Sequence, residues 1–194
     1  MNLDQFSTFL TICSTLLFLG VIGATIASFV SPKIREKLVS LGYTKYVITL
    51  AVVASLATLG SLTFQLVYNA PVCELCWWQR IFMYPMVVIT IVSLWRKAKE
   101  AHLMTGILSL FGLWYASYHY YYHFKGFVLG QKLTLPCSYG DLMPACTDSP
   151  ILIFGFSTIP FMSLMAFGSI FALSFLAYIA LKGQKQLAEN PNTN

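Results

Sequence analysis

The sequence predicts an all-α integral membrane protein, and three observations carry that prediction. Hydrophobic residues make up 57% of the 194-residue chain and charged residues only 10%, against about 45–50% and about 25% in soluble globular domains. The twelve Lys and Arg and seven Asp and Glu side chains are too few to cover a globule of this size. Five apolar stretches each reach the about 20 residues that a spanning helix needs. A water-soluble fold and a disordered chain are therefore excluded, and no room is left for a separate soluble domain. The +5 formal charge reports loop orientation in such a protein, and no nucleic-acid partner is expected.

In order along the chain, the first span covers 6–30. A cleaved signal peptide is the rival reading of this stretch, but it lacks a basic leading region and its apolar run is too long. A loop with Lys33, Arg35, Lys37 and Lys45 leads to the second span, 46–68. A short loop, 69–78, precedes the third span, 77–95, which is followed by Arg96, Lys97 and Lys99. The fourth span is 103–122. A long loop, 123–157, then leads to the fifth, 158–181, whose Pro160 falls in a first helical turn that tolerates it. The end of the chain, 184–194, rich in Asn and Gln, reads as a short disordered tail. Nine of the twelve bases, the seven just named with Lys182 and Lys185, lie on one side, which the positive-inside rule makes cytoplasmic. The N-terminus is then outside and the C-terminus inside. The resulting organisation is an N-terminal span and cytoplasmic loop over 1–45, a bundle over 46–181 and a cytoplasmic tail over 182–194.

This orientation puts four of the five cysteines on the oxidising side. Cys13 lies within a span and reads as a small apolar residue packed against neighbours or lipid. Cys73-Glu74-Leu75-Cys76 is a pair that closes and reopens as a disulfide, and in such motifs one sulfur is commonly poised as a thiolate. Pro71 places a turn before it, and Cys76 falls at or just before the start of the third span, where the helix dipole favours negative charge. Arg80, four residues on, shares its helical face; it either snorkels to the interface or holds a thiolate or an acceptor's carbonyl oxygen. Boundary charges are costly enough to favour function for Arg80, whereas Trp77 and Trp78 read as belt aromatics. Cys137 and Cys146 sit in an irregular loop with Pro136, Gly140, Pro144 and Pro150. They form either a second reactive pair or a structural staple. Zinc bound by four cysteines is opposed by the spacing and by the oxidising compartment, so no metal is expected. The run from Trp114 to His123 forms an interfacial belt or lines a pocket; His119 lies inside the span and His123 at the water boundary, while Met83 and Met86 read as core.

The stretch Cys73-Glu74-Leu75-Cys76-Trp77-Trp78-Gln79-Arg80-Ile81-Phe82-Met83-Tyr84-Pro85 resembles the DsbB family of membrane disulfide oxidases, most closely its Gram-positive-type branch, BdbC. Gly155-Phe156-Ser157-Thr158-Ile159-Pro160-Phe161 resembles that branch too, and the likeness covers about 46–181. It implies a four-helix transmembrane bundle over 46–181 with both reactive loops outside, here carrying an additional N-terminal span that the family core does not need. It also implies a relay. A thioredoxin-like thiol oxidase of the DsbA/BdbD kind attacks the Cys137/Cys146 disulfide at Cys137, electrons pass to Cys73 and Cys76, and Cys76 delivers them to a quinone, menaquinone or ubiquinone, beside Arg80. His119 is similar to a histidine near the family's quinone site. The Cys137 to Cys146 spacing is shorter than in the DsbB branch. Two other classes stand beside this one: an electron conduit like the vitamin K epoxide reductases, whose loop cysteines precede the C-x-x-C pair rather than follow it, and a membrane protein whose loops are merely stapled.

Overall fold

The computed structural model describes residues 2–130 and 151–189. Among the described residues there are six α-helices and no strand, only an isolated bridge between Ile153 and Ser157. Helix α1 (Leu3–Val30) opens with the Asn2 backbone N–H donating to Gln5 Oε1 at 3.2 Å. It stops at Ser31, held extended at φ −124°, ψ 116°, because the ring of Pro32 disfavours helical geometry in the residue before it. Pro32 then occupies the first position of α2 (Pro32–Ser40), where its missing N–H removes no bond. The sequence reading takes this stretch as a loop. It is instead a short helix with Lys33, Arg35 and Lys37 all exposed, and nine residues are too few for an apolar period to announce it.

Helix α3 (Tyr43–Leu66), α4 (Glu74–Arg96), α5 (Ala101–His123) and α6 (Ile159–Glu189) follow, with a π-helical turn, Phe124–Val128, extending α5. The five apolar stretches thus become α1, α3, α4, α5 and α6. By length and composition, α1, α3, α4 and α6 can cross a bilayer; α5, richer in Tyr and His, packs between α4 and α6. The chain is a multi-pass membrane protein. The disordered tail expected over 184–194 is corrected in part: α6 runs on to Glu189, since Val39 of α2 packs against Gly183 and gives the extra turns a neighbour.

Helix α6 is the hub, touching α1, α2, α3 and α5. Its Phe167, Ile170, Leu173, Leu176 and Ala177 meet Tyr46, Val47, Leu50 and Val53 of α3, with Met83 and Met86 of α4, in one buried cluster. Helices in lipid associate by close packing and interhelical hydrogen bonds rather than by exclusion of water. Both devices are present. A Cβ at Gly112 would lie 2.1 Å from Phe167 Cε1, so only glycine lets α5 approach α6 there. Thr105 Oγ1 and Ser174 Oγ pair at 2.9 Å in the same interface, a bond worth about 0.6 kcal/mol in a membrane bundle.

Candidate active site

The chain reverses after α3 through Asn69, whose φ is +50°, and the Ala70 N–H bonds the Phe64 carbonyl at 2.9 Å. Pro71 follows, and extended Cys73 (φ −81°, ψ 169°) caps α4. The sequence reading keeps 69–78 as a loop with Cys76 near the helix start. The helix in fact begins at Glu74, so Cys73 is the capping residue and Cys76 the third residue of the first turn. Three residues apart on a helix, the two side chains share a face, and their sulfurs are 3.2 Å apart. Rotation about the side-chain bonds brings such a pair to the about 2.05 Å of a disulfide.

Behind the sulfurs, α5 presents His119, 2% exposed. Its Nε2 is 3.6 Å from Cys73 Sγ and its Nδ1 is 3.1 Å from the amide nitrogen of Gln79. An amide nitrogen donates only, so Nδ1 accepts and the ring proton sits on Nε2, facing Cys73. With Cys73 Sγ donating to Cys76 Sγ, the hydrogen bonds run in one direction, from Gln79 through His119 and Cys73 to Cys76. Such a chain polarises toward its end, and the first-turn N–H groups of α4 add partial positive charge there. Cys73, Cys76 and His119 bring their donor atoms within 4.8 Å of one another, a spacing that would also suit a soft metal ion.

Arg80, one turn below Cys76, is buried. It is tied to α3: Nε donates to Ser61 Oγ at 3.0 Å, Nη2 to the Ser61 carbonyl at 3.3 Å, and Nη1 to Gln65 Oε1. Its Cζ lies 5.3 Å from the centre of the Trp77 ring, a cation–π distance. Trp78 instead stacks on Tyr115, at 5.5 Å between ring centres.

Cys76, Gln79 and Arg80 open into a cavity of about 510 Å³ between α1, α3, α4 and α6, with Ser61 and Gln65 on its α3 side and a lining that is otherwise mostly apolar. A quinone head is flat and apolar with carbonyl oxygens that accept hydrogen bonds. The fit is good, because Arg80 spends three of its five N–H donors on α3 and keeps others for a ligand. His119 contacts the sulfur pair and is absent from this lining. His123, expected at the water boundary, is buried in the fold at 1% exposure, its ring centre 6.3 Å from that of His119. Met83 and Met86 are core. Cys137 and Cys146 lie outside the described residues. Gln79, Ser61 and Gln65 escaped the sequence reading, although polar side chains inside apolar spans are the signal that marks such positions.

The family model described as "Disulfide bond formation protein DsbB" matches residues 43–177. The chain is 33% identical over 129 residues to the SPbeta prophage-derived disulfide bond formation protein B of Bacillus subtilis, an alignment covering 66% of this chain and 82% of that one. It is 37% identical over 134 residues to disulfide bond formation protein C of the same organism, covering 69% and 90%. With the probable disulfide formation protein C of Halalkalibacterium halodurans it shares 38% over 125 residues, covering 62% and 83%. No solved structure matches the chain significantly.

Proposed function

The chain belongs to the DsbB family of membrane disulfide bond formation proteins, and from that premise we propose that it is a quinone-coupled thiol oxidase serving an extracytoplasmic thioredoxin-like partner. One observation carries the proposal: Cys76 of a vicinal sulfur pair and a buried arginine line the same apolar cavity. The protein sits in the prokaryotic plasma membrane with five spans, its N-terminus and both cysteine loops outside.

The reduced partner attacks the Cys137–Cys146 disulfide at Cys137, forming a mixed disulfide that its own second thiol resolves. The loop dithiol then reduces the Cys73–Cys76 disulfide, and two electrons rest on that pair. A quinone, when bound, accepts two electrons and two protons. Cys76 supplies the sulfur facing the acceptor, Arg80 orients its carbonyl oxygen by charge-assisted hydrogen bonding, and His119 holds a proton at Nε2 beside Cys73. If the soluble oxidant resembles DsbA, at about −120 mV, only a still more oxidising sink can regenerate it, each 30 mV being about 1.4 kcal/mol. The order of the cysteines, C-x-x-C first, favours this direction over a reductase-type conduit. The test is quinone reduction by purified protein supplied with a reduced thioredoxin-like oxidase. Cys76→Ser is expected to abolish it, and retained turnover in that variant would overturn the assignment.

A further inference from the structure

Helix α1 precedes the 43–177 region that defines the family, yet it walls the same cavity as Cys76 and Arg80. We propose that α1 closes the acceptor cavity and helps determine which quinone it takes, with Cys13 at the position where side-chain volume sets the space available. The proposal rests on reading that cavity as the quinone site.

Two faces of α1 do different things. Thr11 Oγ1 pairs with Ser157 Oγ at 2.9 Å, both buried, and a Cβ on Gly168 would come within 2.6 Å of the Phe18 ring, so this face is seated on α6 and the turn before it. At the far end Phe6 packs on Phe64 and Tyr68, with ring centres 5.2 and 5.4 Å apart. Between these anchors Leu10, Cys13, Ser14 and Leu17 line the cavity. Their spacing of three, one and three residues is a single helical stripe. Across the space stand Ser61 and Gln65 of α3 and Cys76 and Arg80 of α4. Polar groups on one side and a stripe on the other whose only hydroxyl, Ser14 Oγ, is turned to the Thr11 carbonyl at 3.2 Å match a ligand with a carbonyl-bearing head and an aliphatic tail. Cys13 is one of the smaller side chains in that stripe, so enlarging it narrows the cavity without touching the sulfur pair or Arg80.

The experiment uses the wild-type chain in lipid nanodiscs with Cys73 and Cys76 oxidised, and a decyl-substituted benzoquinone as probe. Alkylation of Cys13 by N-ethylmaleimide, read by peptide mass spectrometry, is expected to slow several-fold as the probe saturates. Cys13→Trp is expected to weaken equilibrium binding of the probe about tenfold or more, while Cys13→Ala binds within about twofold and both variants exchange Cys73–Cys76 with a small dithiol at the wild-type rate. Probe binding that leaves Cys13 alkylation unchanged, or wild-type affinity in Cys13→Trp, would overturn the role of α1 and leave the oxidase reading standing. Protection by oleate equal to that by the quinone would make the cavity a lipid site and overturn it too. Failure of the wild-type chain to bind the quinone at all would remove the oxidase reading, and this inference with it.

Discussion

Replacing Arg80 with alanine separates its contacts with α3 from its proposed hold on an acceptor. Towards the protein, the guanidinium makes three hydrogen bonds to α3, and hydrogen bonds to charged groups are worth about 1.5–3 kcal/mol. Against that stands the cost of holding a buried charge at membrane depth, about 2.5–3.5 kcal/mol on insertion scales. Together the three bonds, about 4.5–9 kcal/mol, exceed that cost, so Arg80→Ala is expected to destabilise the bundle and lower the thermal midpoint in detergent. Towards a bound acceptor one charge-assisted bond of about 1.5–3 kcal/mol is lost, which corresponds to about 10- to 100-fold weaker binding. Arg80→Lys keeps the charge but not the fork that spans Ser61, Gln65 and a ligand, and should fall between the two. The assay is steady-state quinone reduction with quinone varied and the reduced protein partner saturating, alongside stopped-flow exchange between partner and protein. The expected pattern is a raised KM for quinone with thiol exchange unchanged. An unchanged KM in Arg80→Ala, or equal losses in both assays, would refute the claim that Arg80 acts on the acceptor.

Two further outcomes follow from the geometry. His119→Ala removes the link between Gln79 and Cys73 and should slow disulfide transfer onto the Cys73–Cys76 pair about 100-fold, with quinone affinity unchanged; rapid-quench trapping of the cysteine redox states measures it, and an unaltered transfer rate would count against the directed hydrogen-bond chain. Gly112→Ala drives a methyl into Phe167 and should destabilise the bundle by about 1–3 kcal/mol, read as a lowered thermal midpoint in detergent, whereas an unchanged midpoint would mean that α5 and α6 separate without cost.

Apolar run length was enough to locate α1, α3, α4, α5 and α6 to within a few residues, except at the end of α6, because a spanning helix is specified by composition over a long window. Helix α2 and the end of α6 were invisible to that signal, since each gains its neighbour only when Val39 meets Gly183. At the site, Cys73, Cys76 and Arg80 are legible together because they sit on one helix at spacings of three and four. The partners of Arg80 are not, because Ser61 and Gln65 reach it across the α3–α4 interface. His119 is 46 residues from Cys73 in sequence, and only the packing of α5 on α4 makes them neighbours. That Cys13 borders the cavity is likewise not legible, because a thiol in an apolar span says nothing of the space beside it.

The capping position of Cys73 has a mechanical consequence. Its carbonyl accepts the Trp77 N–H at 3.3 Å, but its own N–H and its side chain stand outside the repeating i to i−4 ladder, so its sulfur can change partners by side-chain rotation while α4 stays wound. Cys76 lies inside the first turn, flanked by residues fixed in helical geometry. The two sulfurs of the pair therefore differ in compliance: in the proposed relay the one beside His119 turns towards the chain's own loop dithiol, and the one beside the cavity is carried on wound helix. In that relay a single pair exchanges with a dithiol of the same chain on one side and meets a small ligand requiring fixed distances on the other.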